Sequence, residues 1–231
     1  MLEINKIHCG DCLELIKQID DNSIDLIVTD PPYKGHFGKP GGGSFGNRKY
    51  FLAVEDGVGS NMDFEIKKYL PMLIKKMKKF NAYFWTSQKL IKDYIIFAEE
   101  NDFHYDILVW IKTNPIPTKN NKYLPDIEYC IFIREKGAYF NNNEKFDLYR
   151  KAFFIPVNKS KFGHPTEKPI DVIKPSILIS SKEKDLILDP FIGSGTTAEA
   201  CKQLDRNFIG IEISPEYCKI ANKRLEQETL C

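Results

Sequence analysis

The chain predicts an open, mostly parallel α/β sheet with helices on both faces, and three observations predict it. Apolar runs of strand length, among them 24–28 and 186–188, alternate with stretches whose apolar residues recur at helical spacing. Those two runs each end in an Asp-Pro string, Asp30-Pro31-Pro32-Tyr33 and Asp189-Pro190-Phe191-Ile192-Gly193-Ser194-Gly195-Thr196-Thr197. The second string is a glycine turn opening a helix, and the strand after that helix ends in an acid, Glu212. In sheets of this kind ligands bind beyond the carboxyl ends of the strands, at a topological switch point.

The elements follow in order. Residues 6–9 read as a short strand, and 11–19 as a helix with Leu13, Leu15, Ile16 and Ile19 on one face, closed by the turn-forming Asp20-Asp21-Asn22-Ser23. The strand 24–29 delivers Asp30. Residues 34–61 carry eight glycines, too many to pack a core, and read as a mobile loop. A helix over 62–79 contains Pro71, expected to kink or break it. Strand 83–86, helix 88–100 and strand 106–111 come next. Strand 129–134 then returns antiparallel, because no helix separates it from its predecessor. Residues 137–163 read as irregular, and 170–179 as a helix interrupted by Pro175. Strand 185–188, helix 196–204 and strand 208–213 form a βαβ half suited to a nucleoside, and Ser214 caps a last helix that runs to about residue 228.

At 231 residues the chain is one large domain or one domain with an insertion. With 42% hydrophobic and 28% charged residues it can bury an ordinary core. Its apolar stretches are too short to span a membrane and its start lacks a signal-peptide layout, so a cytoplasmic enzyme is expected. Cys9-Gly10-Asp11-Cys12 has redox or zinc spacing, but no second close Cys/His pair follows to complete a metal site; reduced packing cysteines are the expectation. A net charge of +1 hides local asymmetry. Residues 31–54 hold Lys34, Lys39, Arg48 and Lys49 with no acid, and 148–166 hold Arg150, Lys151, Lys159 and Lys161 with none. Both flank the candidate site and suit phosphate contact, whereas the lysine-rich stretch 67–79 reads as a solvated helix face.

Two constellations carry chemistry. Gly193 and Gly195 let a ligand approach the backbone, and Glu212, about 20 residues on, can accept both ribose hydroxyls of a nucleoside. A dinucleotide fits this turn equally, since Ala198 is an accepted third residue of that fingerprint; the Asp30 string argues against it, having no role in hydride transfer. An aromatic amine is a poor nucleophile because its lone pair is delocalised into the ring. The Asp30 carboxyl and the Pro31 carbonyl can accept its two protons and favour a pyramidal nitrogen, while Pro31 and Pro32 stiffen the backbone and Tyr33 stacks on the base. The two strings together point to methyl transfer onto a nucleobase amino group, with no metal required.

In these strings and their order the chain resembles the amino-group DNA methyltransferases of the N6-adenine/N4-cytosine type, in the arrangement where D-P-P-Y precedes F-x-G-x-G. The resemblance covers nearly the whole chain. It implies a Rossmann-like, seven-stranded methyltransferase fold with an antiparallel strand pair, S-adenosylmethionine as cofactor, and a base flipped out of double-stranded DNA. Gly10-Asp11-Cys12-Leu13-Glu14 resembles the segment whose acid faces the cofactor adenine, which places Asp11 and Cys12 in the cofactor site. His164-Pro165-Thr166-Glu167-Lys168-Pro169 resembles the motif completing the methionine pocket, which adds Thr166, Glu167 and Lys168. Asp30 and the stretch Asp189, Pro190, Phe191, Gly193, Ser194, Gly195, Thr196, Thr197, with Glu212, fill out the cofactor set. The segments around Trp110-x-Lys112-x-Asn114-Pro115 and from Glu128 resemble the strand pair behind the target-base pocket. Asp at the first catalytic position goes with adenine in the family; cytosine-N4 transfer and a non-catalytic nucleic-acid-binding homologue are the alternatives, with RNA a further substrate. Residues 137–163 form a short target-recognition insertion, so recognition falls also to the glycine-rich loop, a homodimer mate or a specificity partner. A restriction nuclease is an expected companion.

Overall fold

In the computed structural model, residues 2–32, 66–115, 123–142, 145–157 and 167–227 are described. In chain order the elements are β1 (Lys6–Cys9), α1 (Cys12–Ile16), β2 (Leu26–Thr29), α2 (Ile66–Lys76), β3 (Asn81–Thr86), α3 (Ile91–Glu100), β4 (His104–Lys112) and β5 (Ile127–Arg134). After a 3-10 turn at Phe146–Tyr149 come β6 (Ala152–Ile155), α4 (Ile170–Ser180), β7 (Leu186–Asp189), α5 (Thr196–Gln203), β8 (Asn207–Glu212) and α6 (Pro215–Gln227). The strands form one sheet in the order β1-β8-β7-β2-β3-β5-β4-β6. All pairings are parallel except those of β5, which runs against both β3 and β4.

Strands β2 and β7 are buried throughout because helices cover both faces, which is why they read as unbroken apolar runs. Alternate residues feed two cores. Ile27, Phe84, Ile131, Leu188 and Ile209 face Ile16, Tyr69, Leu73 and Tyr94 of α1–α3. Leu26, Val28, Tyr83, Trp85 and Ile187 face Val172, Ile173 and Ile177 of α4 and Ala198 and Cys201 of α5. The chain order reverses between β2 and β7: β2 continues to β3 on one side, and β7 to β8 on the other. That reversal is the switch point, and both Asp-Pro strings end there.

Three expectations change. The sheet has eight strands rather than seven, because Ala152–Ile155, within the stretch expected to be irregular, pairs parallel with Val109–Lys112. Trp110 Nε1 donates to the Ile155 carbonyl (2.7 Å), and Asn114 brackets Val157 through both its amide groups, which seats this edge strand. Pro175 does not interrupt α4, which is held along its length by buried Val172, Ile173, Ser176 and Ile177. Pro71 likewise lies inside α2, on its exposed side. The expected loop 34–61 lies outside the described residues. Of the lysine-rich stretch, Lys78 pairs with Asp25 (2.7 Å) and Lys79 with Glu135 (3.3 Å) at the surface, whereas Lys76, only 12% exposed, pairs with Asp21 (2.6 Å) and donates to the Ile19 carbonyl, tying α2 to the turn after α1.

Candidate active site at the switch point

Strand β2 hands directly on to Asp30, followed by buried Pro31 and exposed Pro32. Thr29, the last residue of the strand, donates its hydroxyl to Asp189 Oδ1 at 2.6 Å, tying the two strings together. Asp30 Oδ2 accepts from Lys168 Nζ. Lys168, only 8% exposed, lies 3.3 Å from Glu128 Oε2, and Glu128 Oε1 is 2.7 Å from Lys112 Nζ. The Lys168 ammonium sits 5.6 Å above the Trp85 ring. Asp30 Oδ1 is buried and has no hydrogen-bond partner among the described residues. Burial pushes the Asp30 carboxyl above the usual range; Lys168 opposes that shift and Glu128 adds to it. Burial also pushes Glu128 upward, but Lys168 and Lys112 overcome it and hold Glu128 below the ordinary value.

The glycine turn lies one strand away. Gly193 and Gly195 have φ of 54° and 89°, the left-handed region that suits glycine. A Cβ on Gly195 would also stand 3.2 Å from the Ala221 Cβ, so α6 closes against the turn there. Asp189 accepts from Phe191 N at 3.1 Å as well as from Thr29, and burial pushes its carboxyl up to about 6. Glu212 accepts from Gly193 N (3.0 Å) and Ser214 N (2.8 Å). Burial raises its pKa against the pull of those donors. Each oxygen keeps a second lone pair for a ribose hydroxyl.

Sequence reasoning missed Arg224. Its guanidinium is buried on α6 and pairs with Glu199 on α5 and with Glu167 at 2.8 Å. It also donates to the Ser194 carbonyl (3.3 Å) and to Thr196 Oγ1 (3.1 Å). One side chain thus joins the glycine turn, the helix after it and the residue before Lys168. The signal was a charge at the apolar period of the last helix, in line with buried Cys218 and Ala221. Of the other expected cofactor residues, Asp11 caps α1 by accepting from Leu13 N (2.7 Å) and Glu14 N (3.3 Å). Cys12 lies in the core with its thiol pushed up to about 12, mainly by burial. Pro190 is buried, and Phe191 packs edge-on against Tyr69 with ring centroids 5.9 Å apart. Ser194, Thr196 and Thr197 are buried at the start of α5, and a Thr197 hydrogen bond lowers Asp189. Tyr33, Lys34, Lys39, Arg48, Lys49 and Thr166 lie outside the described residues.

A parallel sheet whose switch point sets an acid with one buried, unpartnered oxygen beside an acid-backed glycine turn defines the class: an α/β transferase working on a nucleoside-bearing donor. A family description, DNA methylase of the N6/N4 type, matches residues 24–223. The type II methyltransferase M2.MboI of Moraxella bovis is 32% identical over 244 residues, covering 96% of this chain and 88% of that protein. M.HinfI of Haemophilus influenzae, also a type II methyltransferase, is 32% identical over 253 residues, covering 97% and 69%. The crystal structure of an M1.HpyAVI–SAM complex superimposes with a TM-score of 0.68 at 29% identity, over 95% of this chain and 98% of that one. The cytosine-N4-specific PvuII DNA methyltransferase shares the fold, with a TM-score of 0.71 at 18% identity over 94% and 85% of the two chains. The chain belongs to the N6/N4 DNA methylase family and is an S-adenosylmethionine-dependent DNA methyltransferase.

Proposed function

We propose that the enzyme transfers a methyl group to the exocyclic N6 of adenine in a specific sequence of double-stranded DNA, with Asp30 and the Pro31 carbonyl accepting the two protons of the amine. The observation that carries this is the buried, unpartnered Asp30 Oδ1, at the end of the strand adjoining the glycine turn. A buried acceptor without a donor is costly, and a flipped-out amine would supply one. The residues present fit S-adenosylmethionine: Glu212 is placed for its ribose hydroxyls, and buried acids of raised pKa favour a ligand with positive charge. Glu167, with Thr166, Asp11 and Cys12, completes the proposed pocket. When bound, this group supplies an electrophilic methyl on a sulfonium. Asp30 orients the amine nitrogen and receives the proton it loses, and Tyr33 stacks on the base.

The Asp at position 30 favours adenine over cytosine-N4. We assign phosphate contacts to Lys34, Lys39, Arg48 and Lys49, and target recognition to the glycine-rich segment 34–61 and the insertion 137–163 of a single catalytic domain. A homodimer is supported by exposed Ile107, Ile127 and Phe154, which register pairing puts on one sheet face among the described residues. A restriction nuclease or specificity partner accompanies such a modification enzyme. No helix among the described residues could cross a membrane, and the five described cysteines are free, as suits the cytoplasm.

The test is transfer of labelled methyl from S-adenosylmethionine to native duplex DNA, followed by digestion to nucleosides. Label in N6-methyladenine, abolished by Asp30→Ala while cofactor binding persists, is expected. Label in N4-methylcytosine, or an active Asp30→Ala enzyme, would overturn the assignment.

A further inference from the structure

The sequence places Lys168 at the methionine end of the cofactor, but the structure places its ammonium on the catalytic carboxylate. Asp30, Lys168, Glu128 and Lys112 form a chain of ion pairs that alternates in sign across four separate segments: the end of β2, the residues before α4, and the facing strands β5 and β4. We propose that Glu128, itself held by Lys112, fixes Lys168 against one oxygen of Asp30 and leaves the other free for the target amine, so that Lys168 and Glu128 are positioning residues of the transfer. The inference rests on the adenine-N6 reading above.

An ammonium has three donors on a flexible stem, and beside a lone carboxylate it can bridge both oxygens. Here Glu128 Oε2, 3.3 Å away, draws Lys168 to one side, and only Oδ2 of Asp30 is taken. Oδ1 stays buried without a partner among the described residues. Trp85 beneath the ammonium removes the remaining freedom, since its ring lies 5.6 Å from Nζ. The same arrangement serves proton removal. The nitrogen lone pair forms the new N–C bond as the methyl–sulfonium bond breaks and leaves its electron pair on sulfur, which departs as a neutral thioether. The amine N–H bond breaks, its electron pair stays on nitrogen and the proton goes to Asp30 Oδ1, from which solvent later takes it. Asp30 is then neutral, and Lys168 keeps a counter-charge in Glu128, so no buried charge is stranded.

The groups that face Asp30 are Lys168 from the segment before α4, Glu128 and Cys130 from β5, Tyr94 from α3 and Asp189 from β7, with Lys112 acting through Glu128. Lys168 holds the Asp30 pKa down and Glu128 pushes it up, so their removal has opposite signs. Asp189 is common to every variant and cancels in the comparison.

The experiment uses the full chain with duplex DNA and labelled S-adenosylmethionine, and measures the pH profile of kcat and the cofactor Kd. For Lys168→Met the acid limb should move up by about one to three pH units and kcat at neutral pH should fall at least about tenfold. Cofactor Kd should stay within about twofold, a change worth under half a kcal/mol. Lys168→Arg should restore most of the limb, which also controls for misfolding. The near-isosteric Glu128→Gln should lower kcat and move the limb the other way, to lower pH. Limbs that stay in place in both variants, or a loss confined to cofactor binding, would overturn the inference and return Lys168 to the methionine pocket. A wild-type enzyme that labels no nucleoside would instead overturn the transfer reading itself, and this inference with it.

Discussion

Asp189 makes folding stability depend on pH in the sense opposite to an ordinary surface carboxylate. It ends β7 only 4% exposed, and its acceptance of Thr29 Oγ1 (2.6 Å) and Phe191 N (3.1 Å) does not offset its burial. Its carboxyl is pushed from 3.8 up to about 6, with desolvation the largest cause. The folded state therefore binds this proton more tightly than the unfolded chain. The resulting stabilisation is fully present below the unfolded value and is lost as pH rises through about 6. Two units correspond to about 3 kcal/mol between the extremes, of which about 1 kcal/mol falls between pH 5 and pH 7.

Asp189→Asn removes the titration while an amide oxygen can still accept from Thr29 and Phe191. Urea unfolding of both proteins at pH 5, 6 and 7 is the assay. Wild type should gain about 1 kcal/mol relative to the variant on going from pH 7 to pH 5. Asp185 and Glu212 are also raised, but they are present in both proteins and cancel. The neighbouring Asp30 carboxylate also raises Asp189, so an Asp30→Asn background should shrink the difference. A difference independent of pH, or one growing toward pH 7, would mean that Asp189 stays ionised in the fold and would refute the reasoning.

Two further perturbations test the scaffold of the turn. Gly195→Ala forces a left-handed φ of 89° on a residue with a Cβ and drives that atom to 3.2 Å from Ala221. The backbone part alone should cost about 1–2 kcal/mol, visible as a Tm loss of several degrees; Ala221→Gly in the same chain should recover only the contact part. Arg224→Met leaves the carboxylates of Glu167 and Glu199, 13% and 15% exposed, without their shared cation. Breaking such a pair costs about 3–5 kcal/mol, so thermal unfolding should drop sharply. Where the protein still folds, the KM for S-adenosylmethionine should rise more than kcat falls, and Arg224→Lys should recover less than half, lacking the fork whose Nε takes Glu199 while Nη1 takes Glu167.

The parts of this fold that could be read in the sequence are those in which a local pattern and its consequence coincide. A short apolar run, Leu26-Ile27-Val28 or Leu186-Ile187-Leu188, leading into Asp-Pro announces a buried strand and its exit at once, and so β2 and β7 and their acids are where the strings put them. Strand β6 carries no such pattern. Ala152-Phe153-Phe154-Ile155 follows Arg150 and Lys151, has no alternation, and lies on an edge where Phe154 is exposed, so only its docking onto β4 makes it a strand. Lys168 and Asp30 are 138 residues apart, and their contact depends on how α4 meets the sheet rather than on anything either segment says alone. Arg224 was hidden for the opposite reason: a charge on a helix is ordinarily solvated, and only its buried acid partners reveal that this one is not.

The structure also decides a question that the glycine turn leaves open. A dinucleotide needs the main-chain N–H groups of the turn for its pyrophosphate. Here Phe191 N is held by Asp189, Gly193 N by Glu212, and Ile192 N and Gly195 N by the carbonyls of Ile211 and Ile192. Two of these acceptors are buried carboxylates whose pKa is already raised by desolvation. A phosphate placed there would find these four donors occupied and two carboxylates beside it, and Asp30 would add a third. A ligand that brings hydroxyls and positive charge meets the same groups as acceptors and counter-ions. The acids that end β2, β7 and β8 therefore select against the phosphate-bearing cofactors with which the turn alone is compatible, and in favour of a sulfonium nucleoside.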